Sequence, residues 1–179
     1  MEKRPGDWSQ VFTGKQFWTL DPKIEEVDIK DIAHSLALQC RFNGHCEKFY
    51  SIAQHSVLVS KIVSKKYALA GLLHDASEAY IGDIVKPLKK FLPNFKKIEL
   101  RIENIILEKF GIKEVNHAEI KKADNIALVT EMRDLMKEPP EKWNEDRFFE
   151  PLSEKIIPMN PEESEKEFLK RFEELQTEN

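Results

Sequence analysis

The chain of 179 residues fits one domain and is too short for two domains of ordinary size. Hydrophobic residues make up 41% and charged residues 34%, so the chain can bury a core without needing a disulfide or a structural metal. The net charge of −4, from 28 basic and 32 acidic residues, argues against a stable nucleic-acid partner, and an anionic substrate would need a local basic cluster.

Cysteine content and hydropathy predict a cytoplasmic protein. The two cysteines, Cys40 and Cys46, are typical of reduced thiols, and with His45 they lack the spacing of a zinc finger. The opening MEKRPGDWSQ has no apolar stretch of the kind found in a secretory signal. The longest apolar run, 67–73, is far shorter than a membrane span, so no membrane segment is expected.

The chain predicts an all-α domain. Residues 1–27 mix aromatic residues with Gly, Pro and polar residues, which indicates an irregular arm or a short hairpin, and no later segment alternates as a strand would. Asp28 and Asn43-Gly44 are expected to begin and end the first helix. Apolar residues at helical spacing predict helices at 29–42, 51–65, 67–79, 94–110 and 116–136.

The remaining segments are predicted to be a loop, a surface segment and a last helix. Residues 82–93 are typical of a loop and 138–159 of a surface segment, while Asn160, Pro161 and Glu163 predict a capped last helix. We therefore expect one domain with an arm at 1–27, a metal-binding helical core at 28–137 and a C-terminal part at 138–179.

Four polar residues interrupt the apolar faces of the predicted helices. His55 lies between Ile52 and Val59, His74 and Asp75 close the most apolar segment, and Asp124 lies on the inner stripe of its helix. Because burying an unpaired carboxylate is costly, the two aspartates must meet partners. The histidines could serve as cations in plain ion pairs, or as neutral imidazoles that join the carboxylates around a divalent ion.

The order of these residues is that of a known family. A histidine, an HD pair about twenty residues later and a lone Asp on a later helix occur in YSIAQHSVLVS, AGLLHDASEAYIGDIVKPLKK and IKKADNIAL. This arrangement resembles the HD-domain phosphohydrolases over roughly residues 30–136. The resemblance implies a compact helical HD-domain bundle whose metal ligands are His55, His74, Asp75 and Asp124.

Within that family, HDASEAYIGD looks like the bacterial 5′-deoxynucleotidases and the small deoxynucleoside triphosphate triphosphohydrolases of some phages. Both have an Arg and an aromatic residue about fourteen residues before the first metal histidine, where this chain has Arg41 and Phe42. The nucleotidases have Trp at the second position, so Phe42 departs from their pattern in a way that bears on substrate preference. The N-terminal arm and the loop NGHCEKFY also look longer than in the compact members.

The resemblance assigns roles to further residues. A mixed N/O ligand set suits Mn, Co, Fe, Ni or Zn better than Mg. Glu78, one turn beyond Asp75, is the candidate general acid or base, and Asp83 would orient water or contact the sugar. Candidate phosphate-binding residues are Arg41, Lys89 and Lys121, and candidates for the substrate pocket are Phe42 and His45.

Several functions remain open at this stage. The first is a 5′-nucleotidase that acts on (deoxy)nucleoside monophosphates, and the second is a triphosphohydrolase that releases triphosphate and needs more cationic residues. A third is a catalytically silent nucleotide-sensing module, and a fourth is a helical scaffold with buried ion pairs and no metal. RNA hydrolysis is less attractive given the acidic charge. A small-molecule nucleotide is the expected partner, and relatives of this type suggest a homo-oligomer.

Overall fold

The N-terminal arm forms a small hairpin on a helical body in this computed structural model, which describes residues 4–144 and 148–177. The two strands, β1 (Ser9–Gln10) and β2 (Gln16–Phe17), pair antiparallel. Between them Thr13 donates hydrogen bonds from its amide and its hydroxyl to the two carboxylate oxygens of the buried Asp31, at 2.7 and 3.1 Å. The hairpin is therefore fastened to the first helix.

All other regular secondary structure in the described chain is helical, which confirms the all-α prediction. Three short 3-10 turns, Ile24–Glu26, Arg41–Gly44 and Lys65–Tyr67, accompany the helices. The helices are α1 (Ile29–Leu38), α2 (Ile52–Ile62), α3 (Ala68–Leu72), α4 (Glu78–Ile81), α5 (Lys86–Lys89), α6 (Pro93–Lys109), α7 (His117–Leu135) and α8 (Pro161–Thr177).

Side chains cap several helices as the sequence predicts. The Asp28 carboxylate accepts from the Lys30 amide at the start of α1. Before α8, the Glu163 amide donates to Asn160 Oδ1 at 2.9 Å and the Asn160 amide donates to Glu163 Oε2 at 3.1 Å. This reciprocal pair is a capping box, and it fixes the start of the last helix where Asn160-Pro161 indicates it.

The first helix ends four residues earlier than predicted. At Gln39 the backbone becomes extended, and the next residue, Cys40, pairs with Ser51 in an isolated antiparallel bridge. Arg41 donates its amide hydrogen to the Tyr50 carbonyl at 2.9 Å. These partners lie about ten residues away along the chain, so a local pattern could not place the end of α1. Arg41 and Phe42 consequently lie in a turn rather than on the helix.

The predicted helix at 67–79 is broken into α3 and α4. After Leu72 the amides of Ala76 and Glu78 donate to carbonyls three residues back, and the His74 side chain bonds to the Gly71 carbonyl. His74 and Asp75 therefore stand in a tight turn between two short helices. Two smaller differences are that α2 ends at Ile62 rather than near Lys65, and that the predicted loop 82–93 contains the single turn α5.

One hydrophobic cluster joins the N-terminal arm to most of the helices. It includes Phe17 of the arm, Ile32 and Leu36 of α1, Ile102 of α6 and Phe168 of α8. Within 138–159 the described residues contain no helix or strand, as predicted, and residues 1–3, 145–147 and 178–179 lie outside the described part. Among the described helices, none combines the length and the apolar character needed to cross a membrane.

Candidate metal centre

Four sequence-predicted residues converge at one place between α2, the α3–α4 turn and α7. His55 faces inward from the middle of α2 and is fully buried. His74 and Asp75 enter from the turn, and Asp124 enters from α7. Ligand atoms of His55, His74 and Asp124 all lie within 4.8 Å of one another. The fold therefore brings together two imidazoles and a carboxylate that are far apart in the chain.

The hydrogen bonds of the two imidazoles determine which ring nitrogen of each can bind a cation. His55 Nδ1 lies 2.6 Å from Glu131 Oε1, and His74 Nδ1 lies 2.8 Å from the Gly71 carbonyl. Carboxylates and carbonyls only accept, so Nδ1 carries the hydrogen in both rings. In the neutral ring Nε2 then presents a lone pair. Both Nε2 atoms are buried and have no hydrogen-bond partner among the described residues.

The spacing of the donor atoms suits a shared cation. His55 Nε2 lies 3.4 Å from Asp124 Oδ1 and 3.6 Å from Asp75 Oδ2, and His74 Nε2 lies 3.1 Å from Asp75 Oδ2. Two ligands about 2.1 Å from one metal ion, at right or tetrahedral angles, are about 3.0–3.4 Å apart. The two imidazoles and Asp124 can therefore hold a metal ion, and Asp75 Oδ2 lies close enough to both nitrogens to be a further ligand.

The charges at this centre are strongly coupled. Burial opposes ionisation of Asp75 and Asp124, but the neighbouring imidazoles hold the pKa of both carboxyls well below the usual range. Burial and the Arg41 charge would lower the pKa of His55, yet Glu131 and Asp124 outweigh them and raise it to about 9. Since Nδ1 is bonded to Glu131, Nε2 is the position where a proton and a cation compete.

Glu131 is the site residue that the sequence analysis missed. Its side chain is fully buried. One carboxylate oxygen, Oε1, is hydrogen-bonded to His55. The other, Oε2, accepts from Arg41 and lies 3.1 Å from Nε and 3.0 Å from Nη2. A carboxylate behind a metal-binding imidazole fixes its orientation and increases its basicity. The available signal was position, because Glu131 follows Asp124 by seven residues, two helical turns, and so shares its face.

Arg41 reaches the centre, although it lies off the predicted helix. Its Nη1 is 3.9 Å from Asp75 Oδ2, and its guanidinium carbon lies 5.3 Å from the centre of the Phe42 ring. Burial works against the charge, but Glu131 and Asp75 raise the pKa of Arg41 above its ordinary value. Phe42 and Asn43 both have positive φ angles, of 54° and 51°, a conformation that non-glycine residues seldom adopt. The arginine is thus presented from a strained turn.

Glu78 lies beside the centre at the start of α4. Its side chain is buried, Oε1 accepts from Lys89 at 3.2 Å, and Oε2 has no hydrogen-bond partner among the described residues. Burial, together with Asp75 and Asp83, raises the pKa of Glu78 to about 9. Lys89 also bonds Glu99 Oε1 at 2.9 Å, so this lysine bridges two acids. Asp83 is half-buried and acts on Glu78 through its charge.

The other candidates are more peripheral. Lys121 is largely exposed and pairs with Asp124 Oδ2 at 2.5 Å, so it caps the centre from outside. His45 is exposed and, with Cys46 and Trp143, lines a separate surface cavity of about 380 Å³. The Phe42 ring meets the edge of Trp143, with 6.4 Å between ring centres. His45 therefore lines this surface cavity, and Phe42 contacts one of its lining residues.

Comparison with known proteins gives relatives but no functional description. No family model matches the chain. The Escherichia coli (strain K12) protein named "Uncharacterized protein YfdR" is 40% identical over 168 residues, which cover 93% of this chain and 94% of the relative. The Rhodobacter capsulatus protein named "Uncharacterized protein RCAP_rcc00048" is 33% identical over 126 residues, 65% of this chain and 64% of that protein. The chain therefore belongs to the same family as YfdR.

Proposed function

We propose that this protein is a metal-dependent phosphohydrolase of the HD-domain type that hydrolyses (deoxy)nucleoside 5′-monophosphates to nucleoside and phosphate. The observation that carries the proposal is the pair of buried imidazole Nε2 atoms, on His55 and His74, for which the described residues provide no hydrogen-bond partner. Leaving two such nitrogen atoms without a partner in a protein interior is costly. Two carboxylates at 3.1–3.6 Å supply the remaining donors for a shared cation.

The chemistry of the ligand set supports hydrolysis. A bound divalent ion supplies Lewis-acid activation of a phosphoryl group and of water. Four protein ligands leave positions open for substrate in a five- or six-coordinate site. The His55 ring is held by Glu131, so the ligand geometry is set before substrate binds. Preorganisation of this kind is expected at a catalytic centre and is not required of a structural ion pair.

Glu78 is the residue proposed to move the proton. Its carboxyl is buried one turn beyond Asp75. Lys89 donates to one of its oxygens, and the other has no partner within the described part of the chain. A carboxyl in this position can accept a proton from the attacking water or donate one to the leaving oxygen. The proposal assigns Asp83 a supporting role, since its charge bears on Glu78.

The cationic groups favour a monophosphate over a triphosphate. Arg41 is proposed to bind the phosphate, because a guanidinium can hold two phosphate oxygens while it also contacts Glu131. The two lysines that a triphosphate would need are already paired, Lys89 with Glu78 and Glu99 and Lys121 with Asp124. The triphosphohydrolase would require those pairs to break, so it is the less supported alternative.

The test is to purify the protein without chelator, determine bound metal by elemental analysis, and incubate it with nucleoside mono- and triphosphates plus Mn or Co. Chromatography separates nucleoside, phosphate and triphosphate. We expect a divalent metal and the release of orthophosphate from monophosphates. Release of triphosphate would select the alternative. A protein with neither metal nor turnover would be a helical scaffold, and chelation would leave its stability unchanged.

A further inference from the structure

A cavity shares one residue, Glu78, with the proposed catalytic site. This cavity, of about 440 Å³, lies between the hairpin arm and the helices α1 and α4. Its lining includes Glu78 on one side and Phe12, Leu38 and Tyr80 on the others. Its volume falls within the range of about 300–1,000 Å³ typical of small-molecule sites. A ligand in it would therefore be next to the proposed proton-transfer residue.

The aromatic groups of the cavity are already arranged for stacking. Phe12 stacks on His34 with ring centres 3.7 Å apart and planes inclined by 14°, and Phe17 stacks on Tyr80 at 3.8 Å. Despite its stacked neighbour, Phe12 remains 58% exposed. An exposed aromatic ring held by a partner ring is a platform on which a flat heterocycle can stack.

The polar groups of the cavity offer an orienting contact. Gln39 lines the cavity at the end of α1, two residues before Arg41. Its amide nitrogen donates to Ser35 Oγ and to the Glu78 carbonyl, both at 3.1 Å. Both amide hydrogens are thus in use, and the group that Gln39 can present to a ligand is its carbonyl oxygen, an acceptor. Exocyclic amino and ring N–H groups of nucleobases are donors that fit it.

The hairpin wall is held in position. The two hydrogen bonds from Thr13 to the buried Asp31 carboxylate fasten the loop that follows Phe12. Lys15 adds an ion pair with Asp28 at 2.9 Å, and Phe17 is fully buried in the core. The cavity is consequently built before any ligand binds, which lowers the entropic cost of binding.

We propose that this cavity is the nucleoside subsite, and that the N-terminal arm supplies its stacking surface for the nucleobase. The inference rests on the proposed function, since it places the base beside Glu78 while the phosphate occupies the metal centre. The arm then determines specificity, because it contributes Phe12 to a pocket that the helical core alone would leave open.

The test compares Phe12→Ala with the control Phe148→Ala, which removes another exposed ring, 78% exposed against 58% for Phe12, that is not part of the cavity lining. Two substrates are used, deoxyadenosine 5′-monophosphate and the base-free deoxyribose 5-phosphate. Loss of one stacking surface is expected to raise KM for the nucleotide about tenfold and to leave kcat/KM for the base-free compound unchanged. Phe148→Ala should behave like the unaltered protein with both.

A binding measurement separates this inference from the proposed function. Calorimetry with deoxyadenosine and thymidine, which lack phosphate, should give weaker binding for Phe12→Ala and for Leu38→Trp, which fills the cavity from an exposed position on α1. If these nucleosides bind and both variants bind them more weakly, the nucleoside subsite is supported even when no substrate is hydrolysed. If nucleotides are hydrolysed but neither variant alters KM or nucleoside binding, the subsite is wrong and the phosphohydrolase stands. If the unaltered protein binds neither nucleoside, the proposed nucleoside subsite is also wrong.

Discussion

Two histidine–carboxylate pairs in this protein have the same chemistry and different surroundings. His34 of α1 meets Glu165 of α8 at 3.0 Å, and both side chains keep more than a quarter of their surface exposed. His55 of α2 meets Glu131 of α7 at 2.6 Å, and neither side chain is exposed. Water can solvate the first pair if it breaks, whereas the second would leave a charge in the interior.

The difference extends to the second nitrogen of each ring. The His34 ring stacks on Phe12 in a half-exposed position, where water reaches its polar atoms. His55 Nε2 is buried, has no hydrogen-bond partner in residues 4–144 and 148–177, and faces two aspartates. A histidine with one nitrogen oriented by a buried acid and the other left open is suited to bind a cation. The same pair of residue types thus has different chemical properties according to its burial.

Removing a proposed ligand is the strongest way to test the buried region. Asp124→Ala deletes the carboxylate that lies 3.4 Å from His55 Nε2. We expect bound metal to fall below detection in elemental analysis and hydrolysis to fall to background, because a site of four donors loses one charged ligand. Metal content equal to that of the unaltered protein would show that Asp124 is not a ligand.

Glu78→Gln tests chemistry without removing a ligand. The substitution keeps the shape and the contact with Lys89 but removes the titratable carboxyl. Metal content should be unchanged, and kcat should fall by about 10²–10⁴-fold, the usual contribution of a general acid or base. Steady-state kinetics beside elemental analysis measures both. Near-normal kcat would contradict the role assigned to Glu78.

Glu131→Gln tests the carboxylate that is hydrogen-bonded to His55. It removes the charge that both Arg41 and His55 require, and we expect metal affinity to weaken by about 10–100-fold. Chemical denaturation of the metal-free protein should show a loss of about 3 kcal/mol, since a buried cation loses its counterion. Unchanged affinity and stability would show that the buried pair is no more important than the exposed one.

The pH dependence of metal binding tests whether His55 is a ligand. In the metal-free protein His55 has a pKa of about 9, raised above its ordinary value, so its proton stabilises the fold fully below pH 6.5 and this contribution is lost as pH rises through 9. A cation must displace that proton. Metal titrations between pH 6.5 and 8.5 should show affinity rising by about tenfold per pH unit. A flat profile would exclude His55 as a ligand.

Glu165→Gln is the matched control with the smallest expected effect. It removes the carboxylate of the exposed histidine pair, which is worth about 0–1 kcal/mol. Metal affinity should not change, because the substitution leaves every proposed ligand and its support intact. Denaturation and metal titration, run beside Glu131→Gln, measure both quantities. A loss as large as that of Glu131→Gln would remove the distinction between the two pairs.

The sequence by itself determined the helical class, the caps at Asp28 and Asn160, and the identity of the polar residues that meet at the centre. These depend on local periodicity and on the cost of burying charge, both of which are legible along the chain. His55, His74, Asp75 and Asp124 were chosen because each interrupts an apolar face, and the fold brings them together.

Only the tertiary structure decided where α1 and α3 end and which residue is hydrogen-bonded to the proposed ligand His55. The bridge between Cys40 and Ser51 ends α1, and the turn at His74 divides the most apolar segment. Glu131 was missed because a glutamate on a helix is usually solvated, and its burial follows from contacts with α2 and with Arg41. The arm cavity likewise depends on a hairpin fastened to Asp31, a contact that joins residues 18 apart. Non-local partners determined the end of α1, the burial of Glu131 and the arm cavity, so local patterns alone could not place these features.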